Sequence, residues 1–393
     1  MKFIILLFAL IITPELFAQC NPSTIYGNDS TNAVCFEIQS NVRRCYSNNI
    51  PNHQYGPFGP NNIQGQDFDY SMCLYPELDT VITPLVEDAS MPGCSNGIIF
   101  GVSTQGVNFS PFARLYWVNT ATQQENMNWI EEANFILNMD LNGGHVNSVS
   151  RYHYHDISYD HFINNLGIDG TTHSPIVGWA ADGFPIYYKY LYTDSLNVGA
   201  GISDFQSSYV LKSGNRPGNG VSEPNGPYDG HYVQDYEYIA NLSSLDECGG
   251  RFGITPDYPN GTYYYVLTDN WPYIPRCLKG KWIDNSFRLG FNCPASTANA
   301  DCSIGTSIVN IGNAAITVNV FPNPSTDFIN IEMEESFDKT LVTGVKIYNV
   351  QGQAVYYAKD LDGPIPTHNL ERGIYFVQID LTNGQMTKKI VVE

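Results

Sequence analysis

The chain has 393 residues, a formal net charge of −20 and 43% hydrophobic residues, including 27 Tyr and 20 Phe. This length allows two or three domains with a sizeable core, and the aromatic content excludes an intrinsically disordered chain. The acidic charge repels nucleic-acid phosphates and anionic lipids, so neither is an expected partner, whereas cations are attracted.

The first 18 residues have the features of a cleavable export signal. Lys2 provides a positive start, Phe3 to Ile12 form an apolar run, and Ala18 is a small residue suited to cleavage. The run is too short to span a bilayer, because a membrane helix needs about 20 apolar residues. We therefore predict a signal peptide at 1–18 and no transmembrane segment in the mature chain.

The nine cysteines predict disulfide bonds, because none lies in a C-x-x-C pair and an exported protein meets an oxidising environment. Connectivity cannot be read from sequence. Pairing neighbours along the chain suggests Cys35–Cys45, Cys73–Cys94, Cys248–Cys277 and Cys293–Cys302. Cys20 is then left over, and lipid attachment at Cys20 is an alternative, although Gln19 is a poor residue before a lipidated cysteine.

Residues 19–295 predict a mainly β domain with an N-terminal extension and long ordered loops. Short β-type runs are separated by turn signals such as Asp169-Gly170 and Asn225-Gly226. One helix is predicted over 123–139, where apolar residues recur at helical spacing. The predicted strands are 97–102, 113–118, 151–155, 185–191 and 261–268.

The last part of the chain changes in character twice. Residues 296–317 are mostly small and polar, which predicts a linker. From 318 to 393 apolar and polar residues alternate in short runs with turns between them, which predicts a small antiparallel β-sandwich. The predicted strands are 328–332, 345–348, 354–358, 373–381 and 388–392.

Four spaced blocks mark this tail: Phe321-Pro-Asn-Pro324, Val345-Lys-Ile-Tyr-Asn349, Leu370-Glu-Arg-Gly-Ile-Tyr-Phe-Val377 and Lys388-Lys-Ile-Val-Val392. With them the tail resembles the C-terminal sorting domain of the type IX secretion system, an immunoglobulin-like β-sandwich. The resemblance implies the type IX secretion machinery as a partner and a secreted, extracellular location, often with tail removal and anchoring to the outer cell surface. An ordinary immunoglobulin-like accessory domain is the alternative interpretation.

Five of the eight histidines lie between Gly144 and Ser174, and two belong to the run Arg151-Tyr-His-Tyr-His155. In a strand, His153 and His155 would share one face, while the tyrosines between and before them would pack on the other. Two imidazoles about 7 Å apart along a strand can converge on one ion. The pair therefore predicts half of a transition-metal site for copper or zinc, since imidazole suits both.

The remaining ligands of this predicted site would come from other segments. His145 could return beside the strand in a hairpin, because only a short Asn147-Ser148 turn intervenes. His173, on a loop, and Asp182, in an Asp-Gly turn, are the other predicted ligands, with His231 as a further candidate. Each has a structural alternative, as a hydrogen-bonded histidine or as a turn aspartate.

The same region resembles the YHYH protein family over about residues 97–280. The resemblance lies on Tyr152-His-Tyr-His155, on the segment from His173 to Tyr187, on Asp246-Glu-Cys-Gly-Gly-Arg251 and on Pro272-Tyr-Ile-Pro-Arg-Cys277. It departs at Tyr188, where the family pattern has Gly. It implies an extracellular or periplasmic bacterial protein but supplies no activity, so the metal hypothesis depends on histidine geometry alone.

Three functions are compatible with the sequence. The first is a secreted metal-binding domain, in which an open coordination position would permit metal-hydroxide hydrolysis, or oxidation if the metal is copper. The second is an adhesive protein whose exposed Trp and Tyr hold surface polysaccharide. The third is a structural surface component without a ligand. A carboxylate–guanidinium pair of Asp246-Glu247 with Arg251 is a further expectation, with a structural role as its simplest interpretation.

Overall fold

The structure is a computed structural model that describes residues 20–39, 41–58, 62–85, 94–259, 261–290, 302, 310–311, 314–315, 318–333, 339–349, 354–359, 361, 363–381 and 384–392. The predicted signal peptide at 1–18 and most of the predicted linker at 296–317 lie outside these residues. Among the helices within them, none is long and apolar enough to cross a membrane.

The body consists mainly of short β-strands, as its turn-rich sequence predicts. These strands are β1 Val34–Gln39, β2 Val42–Ser47, β3 Phe68–Cys73, β4 Leu78–Pro84, β5 Cys94–Ile98, β6 Gly101–Ser103, β7 Asn108–Phe109, β8 Tyr116–Val118, β9 Glu125–Ile130, β10 Gly144–Val146, β11 Tyr152–Tyr154, β12 Ile176–Ala180, β13 Pro185–Tyr188, β14 Tyr190–Asp194, β15 Asn197–Asp204, β16 Tyr209–Leu211, β17 Tyr236–Tyr238, β18 Gly250–Gly253, β19 Thr262–Leu267, β20 Cys277–Gly280 and β21 Arg288–Gly290. The short strands β22 Asn310–Ile311 and β23 Ala314–Ala315 follow.

An eight-stranded sheet in the order β10-β11-β7-β6-β12-β13-β19-β18 forms the centre of the body. Its core is rich in aromatic side chains, and Phe100, Phe109, Tyr152, Tyr154 and Tyr265 are fully buried. The helices are short: α1 Ala133–Ile136, a π-helical turn Asp160–Asn165, and 3-10 turns at Pro22–Thr24, Val233–Asp235, Asn285–Phe287 and Lys339–Leu341. The histidine-rich segment is therefore placed by β10 and β11, at one edge of this sheet.

The predicted helix over 123–139 is wrong for most of its length. Glu125–Ile130 forms β9 and pairs antiparallel with β8, and only Ala133–Ile136 is helical. The preceding turn is stabilised by the Asn119 side chain, which accepts hydrogen bonds from two backbone N–H groups. Asn side chains compete with helical hydrogen bonds, and the neighbouring strand supplies backbone partners that a helix would otherwise provide.

The disulfide pairing differs from the neighbour-to-neighbour expectation. Cys248–Cys277 is confirmed, but the other bonds are Cys20–Cys35 and Cys73–Cys302. The predicted Cys35–Cys45, Cys73–Cys94 and Cys293–Cys302 pairs are therefore wrong. In the β1–β2 register Cys45 lies opposite Phe36 rather than Cys35, so the two sulfurs leave opposite faces of the hairpin.

The bonding states of Cys20 and Cys45 differ from those expected. Cys20 bonds to Cys35, so its sulfur is not available for the lipid attachment considered as an alternative. Cys45 is a free, fully buried thiol in the main core. Burial raises its pKa well above the ordinary value, so it is an inert apolar side chain rather than a reactive thiol.

The tail is the predicted two-sheet antiparallel sandwich. Its two sheets share one core. Ile329, Val345, Ile347, Val377 and Ile390 are fully buried between them. The alternating sequence thus predicted five of the seven strands that the structure describes, whereas Val318–Phe321 and Ile365–Pro366 were not predicted as strands. The strands are β24 Val318–Phe321, β25 Phe328–Met333, β26 Val342–Asn349, β27 Ala354–Ala358, β28 Ile365–Pro366, β29 Gly373–Leu381 and β30 Gly384–Val392. One sheet has the order β24-β25-β28, and the other has the order β27-β26-β29-β30.

Candidate metal centre

A β-hairpin positions two of the five predicted ligands. Strands β10 and β11 pair antiparallel, and His145 lies directly opposite His153. The turn between them is closed by Asn147, whose side-chain oxygen accepts from the backbone N–H groups of Val149 and Arg151. Ser150 takes a left-handed φ of 63° to complete it. His145 therefore lies beside His153 in a hairpin, as the sequence predicts.

The start of the hairpin depends on a close contact between Gly144 and Tyr152. A Cβ at Gly144 would overlap the ring of Tyr152 on the facing strand. The Tyr152 hydroxyl donates to the Asp140 carboxylate at 3.0 Å, and that carboxylate also accepts from the Gly144 N–H. Gly144 thus permits the close packing that sets the register of His145 against His153.

Three histidines converge on the other face of β11. The donor nitrogens of His145, His153 and His155 all lie within 4.8 Å of one another. Their ring centroids are 4.8 Å apart for His145–His153, 4.6 Å for His153–His155 and 5.5 Å for His145–His155. Throughout the part of the chain that the structure describes, no other group of three metal-capable side chains is this close.

Burial keeps these rings neutral. His153 is 8% exposed and His155 is 2% exposed, while His145 is half-buried. Desolvation is the largest cause that lowers the pKa of each ring, to about 3 for His153, where the neighbouring His145 contributes next. A neutral imidazole has a free nitrogen lone pair, which is the form that binds a metal ion.

The hydrogen bonds of the buried pair are incomplete. His153 Nδ1 lies 3.2 Å from the Arg151 carbonyl, so Nδ1 donates and Nε2 has the lone pair. The Ser110 backbone lies near His155, but neither ring nitrogen of His155 makes a hydrogen bond of ordinary geometry to any described residue. An unsatisfied buried polar group costs about 1–3 kcal/mol. Purely structural histidines are ordinarily hydrogen-bonded, and His155 is not.

The structure does not bring His173 into this cluster. His173 Nδ1 donates to the Ser174 carbonyl at 2.7 Å. Its ring packs against Tyr187 and Tyr192, with centroids 5.0 and 4.8 Å away. His231, the further candidate, also lies apart, with its Nε2 at 3.6 Å from a Glu131 carboxylate oxygen.

Asp182 also lies outside the cluster. It is 1% exposed, and its Oδ2 accepts from the Tyr265 hydroxyl at 2.6 Å and from the Gly280 N–H at 2.8 Å. Burial raises the pKa of Asp182 to about 6, although these hydrogen bonds oppose the rise. Its observed contacts are those of a carboxylate that joins the Asp-Gly turn to β19 and β20.

His53 contacts the Tyr154 hydroxyl of the Tyr152-His-Tyr-His155 run, although the sequence did not predict this contact. Its Nε2 lies 2.5 Å from the Tyr154 hydroxyl and 3.2 Å from Ser158 Oγ, and its Nδ1 donates to the Gln54 carbonyl. Gln105 donates to the same Tyr154 hydroxyl. His53 is about a hundred residues from the motif in sequence, and no spacing pattern indicated this contact.

The expected pairing of Asp246-Glu247 with Arg251 is wrong. The Asp246-Glu247 pair bonds to Lys279, at 3.1 and 3.2 Å, rather than to Arg251. Arg251 instead donates to the Tyr264 hydroxyl, its cross-strand neighbour between β18 and β19. The polysaccharide-binding surface of exposed Trp and Tyr stays a prediction: none of the five Trp, which all lie in the described ranges, is exposed, but Tyr55, Tyr75 and Tyr159 are.

Two family models match the chain. The model described as "YHYH protein" matches residues 69–280, which is more than half of the chain and includes the histidine hairpin. The model described as "Secretion system C-terminal sorting domain" matches residues 319–393, the whole β-sandwich tail. Both expected resemblances are therefore confirmed, and the first extends further toward the N-terminus than predicted. No curated protein matches the chain.

Proposed function

We propose that this chain, which belongs to the YHYH protein family, binds one transition-metal ion, copper or zinc, through His145, His153 and His155. Its tail is a type IX sorting domain, so the protein is secreted and the type IX secretion machinery is its partner in export. The bound ion would therefore be held outside the cell or on its surface.

The observation that carries this proposal is the state of His155. The ring is 2% exposed, neither of its nitrogens is hydrogen-bonded within the described chain, and two further neutral imidazoles lie against it. Packing alone gives no reason to bury three polar rings together, because each leaves hydrogen bonds with water. An ion would accept one nitrogen lone pair from each ring.

The hairpin also provides the support that metal-binding histidines need. The Arg151 carbonyl holds the Nδ1–H of His153, which leaves Nε2 as the donor atom. Such a contact to the second nitrogen fixes the tautomer and the ring orientation of a ligand. The proposed ligand set is limited to these three histidines, because His173 and Asp182 do not belong to the group whose donor atoms lie within 4.8 Å of one another.

Three protein ligands favour a functional site over a purely structural one. Structural zinc sites have four protein ligands, whereas catalytic sites have three and keep a position for water or substrate. Within the described chain no carboxylate or thiolate joins the three histidines. A bound ion would supply Lewis-acid chemistry at its open position.

The direct test is the metal content of the purified full chain, prepared without chelator and measured by plasma mass spectrometry. We expect about one equivalent of copper or zinc per chain. His155→Ala should lose the metal, and the control His231→Gln should retain it, because His231 lies outside the cluster. A native chain that is free of metal and binds neither added copper(II) nor zinc(II) would refute the proposal.

A further inference from the structure

One carboxylate connects the two strands that present the opposed histidines. Asp140 precedes β10, and its Oδ1 accepts from the backbone N–H of Gly144 at 3.0 Å. Its Oδ2 accepts from the Tyr152 hydroxyl, also at 3.0 Å. Gly144 directly precedes His145, and Tyr152 directly precedes His153. The carboxylate therefore bonds to the residue before each of the two facing histidines.

We infer that Asp140 is a positioning residue of the proposed metal site: it sets His145 against His153, and without it the ion would keep only two histidine ligands. The inference rests on the proposed function and adds the residue on which the third ligand depends. Asp140 is not itself a proposed ligand, because it does not belong to the group of converging donor atoms. It acts through the backbone of β10.

His145 depends on its backbone more than the other two ligands do. Its ring makes no hydrogen bond to any described residue and is only half-buried. The rings of His153 and His155 are buried, and His153 also donates to the Arg151 carbonyl. The position of the His145 donor nitrogen is therefore decided by where β10 begins.

The same carboxylate fixes the start of β10 by closing the turn that precedes it. Asp140 Oδ1 also accepts from the Asn142 N–H at 2.9 Å, and the Asp140 N–H donates to the Gly144 carbonyl at 2.8 Å. An Asp side chain that accepts from the backbone two residues on forms an Asx turn. Gly143, with a left-handed φ of 65°, completes the turn, and its carbonyl accepts from the His155 N–H at 2.8 Å. The turn is thereby tied to the backbone of a second ligand.

An N-terminal segment packs on the tyrosine side of the hairpin. The Gly56 N–H donates to Asp140 Oδ2 at 3.3 Å, and the rings of Tyr55 and Phe58 lie against Tyr152, with centroids 6.3 and 5.9 Å away. These residues lie outside the family match, which begins at residue 69. The support of the proposed site therefore extends beyond the region that the family model covers.

The test compares Asp140→Ala with the native full chain, using copper(II) as the probe. Asp140→Ala should weaken copper(II) affinity at least about tenfold, because contacts that orient a metal ligand contribute roughly 10- to 100-fold. Pulsed electron paramagnetic resonance should count three coordinated imidazoles in the native chain and two in the variant. In a His145→Ala background, Asp140→Ala should cause no further loss, because Asp140 acts on the ion only through His145.

Two controls concern the carboxylate. In Asp140→Asn the side-chain oxygen can still accept from the Asn142 and Gly144 N–H groups, so this variant should retain three imidazoles and most of the affinity. Asp169→Ala removes a carboxylate that accepts from the Thr171 N–H at 2.9 Å, outside the hairpin, and it should bind copper(II) as the native chain does.

Tyr152→Phe is a second variant, which removes only a hydroxyl from the buried core. It breaks the link between Asp140 and β11, so it should weaken copper(II) affinity in the native background but not in the His145→Ala background. Tyr154→Phe removes the next hydroxyl along β11, which bonds to Gln105 instead, and it should retain native affinity. This pair decides the question if Asp140→Ala does not fold.

The outcomes separate the two proposals. Three imidazoles and native affinity in Asp140→Ala would overturn the positioning role of Asp140 and leave the metal site intact. An equal loss of affinity with and without His145 would also overturn that role, because it would show a general weakening of the fold. A native chain that binds neither copper(II) nor zinc(II) would overturn the metal site itself.

Discussion

His145 and His153 face each other across the β10–β11 hairpin, with ring centroids 4.8 Å apart. Directly opposed residues in an antiparallel pair have the closest side chains that a sheet allows. A slip of the register by one residue would move His153 away from His145 and toward the core face. The hairpin turn and the Gly144–Tyr152 contact therefore set the geometry of the proposed site.

Replacing His155 with Leu should stabilise the metal-free protein while it abolishes metal binding. His155 has no hydrogen-bond partner among the described residues, so an apolar side chain removes an unsatisfied buried group. We expect a gain of about 1 kcal/mol in the free energy of unfolding. Denaturant unfolding of chelator-treated protein measures this gain. The matched variant His153→Leu should destabilise by comparison, because it loses the hydrogen bond to the Arg151 carbonyl.

Replacing Tyr154 with Phe should lower stability without changing metal affinity. The Tyr154 hydroxyl bonds to both His53 and Gln105, so its removal leaves the buried Gln105 amide without this acceptor and leaves His53 Nε2 with Ser158 alone. The expected loss is about 1–3 kcal/mol in the free energy of unfolding. Calorimetric titration with zinc(II) should show native affinity, because Tyr154 lies on the opposite face of β11. Tyr159→Phe, at an exposed position, serves as the control.

His161 should make the protein sensitive to acid. Burial lowers its pKa from the ordinary 6.5 to about 4 in the folded state. Between these values the unfolded chain binds more protons, so stability falls as the pH drops below 6.5. His161→Gln should reduce the stability difference between pH 7 and pH 5 by about 2 kcal/mol, measured by denaturant unfolding. No reduction, or an equal one in the exposed control His368→Gln, would contradict this assignment.

The Cys73–Cys302 bond should contribute more stability than the Cys20–Cys35 bond. The two bonds close segments of 229 and 15 residues, respectively. Cross-linking a longer loop removes more entropy from the unfolded state. For these two loop lengths, the longer loop should give about 2 kcal/mol more stabilisation. Thermal unfolding of the two Ser double variants compares them. Peptide mapping under non-reducing conditions should recover a peptide linking Cys73 to Cys302, and a Cys73–Cys94 link would contradict the pairing.

Removal of Val318 to Glu393 should trap the protein in the periplasm. The whole deleted segment is the sorting domain, which the secretion machinery recognises. Cell fractionation and immunoblotting measure the distribution of the truncated chain. Thr343→Ala, at an exposed position of β26, should leave secretion unchanged. Normal secretion of the truncated chain would show that export depends on another part of the protein.

The sequence by itself determined those features that depend on neighbours along the chain. The alternation from 318 to 393 predicted five of the seven described strands of the sandwich, because side chains two apart share a face. The same periodicity placed His153 and His155 together, and the short turn after Val146 predicted the return of His145.

Only the tertiary structure decided which distant segments meet. Cys302 pairs with Cys73, His53 bonds to Tyr154, and Asp182 is enclosed by Tyr265 and Gly280. The spacing of apolar residues predicted a helix at 125–130, but this segment forms a strand that pairs with β8. These contacts depend on the order of strands in the central sheet. That order is set by the burial of surfaces far apart in sequence, and no local periodicity records it.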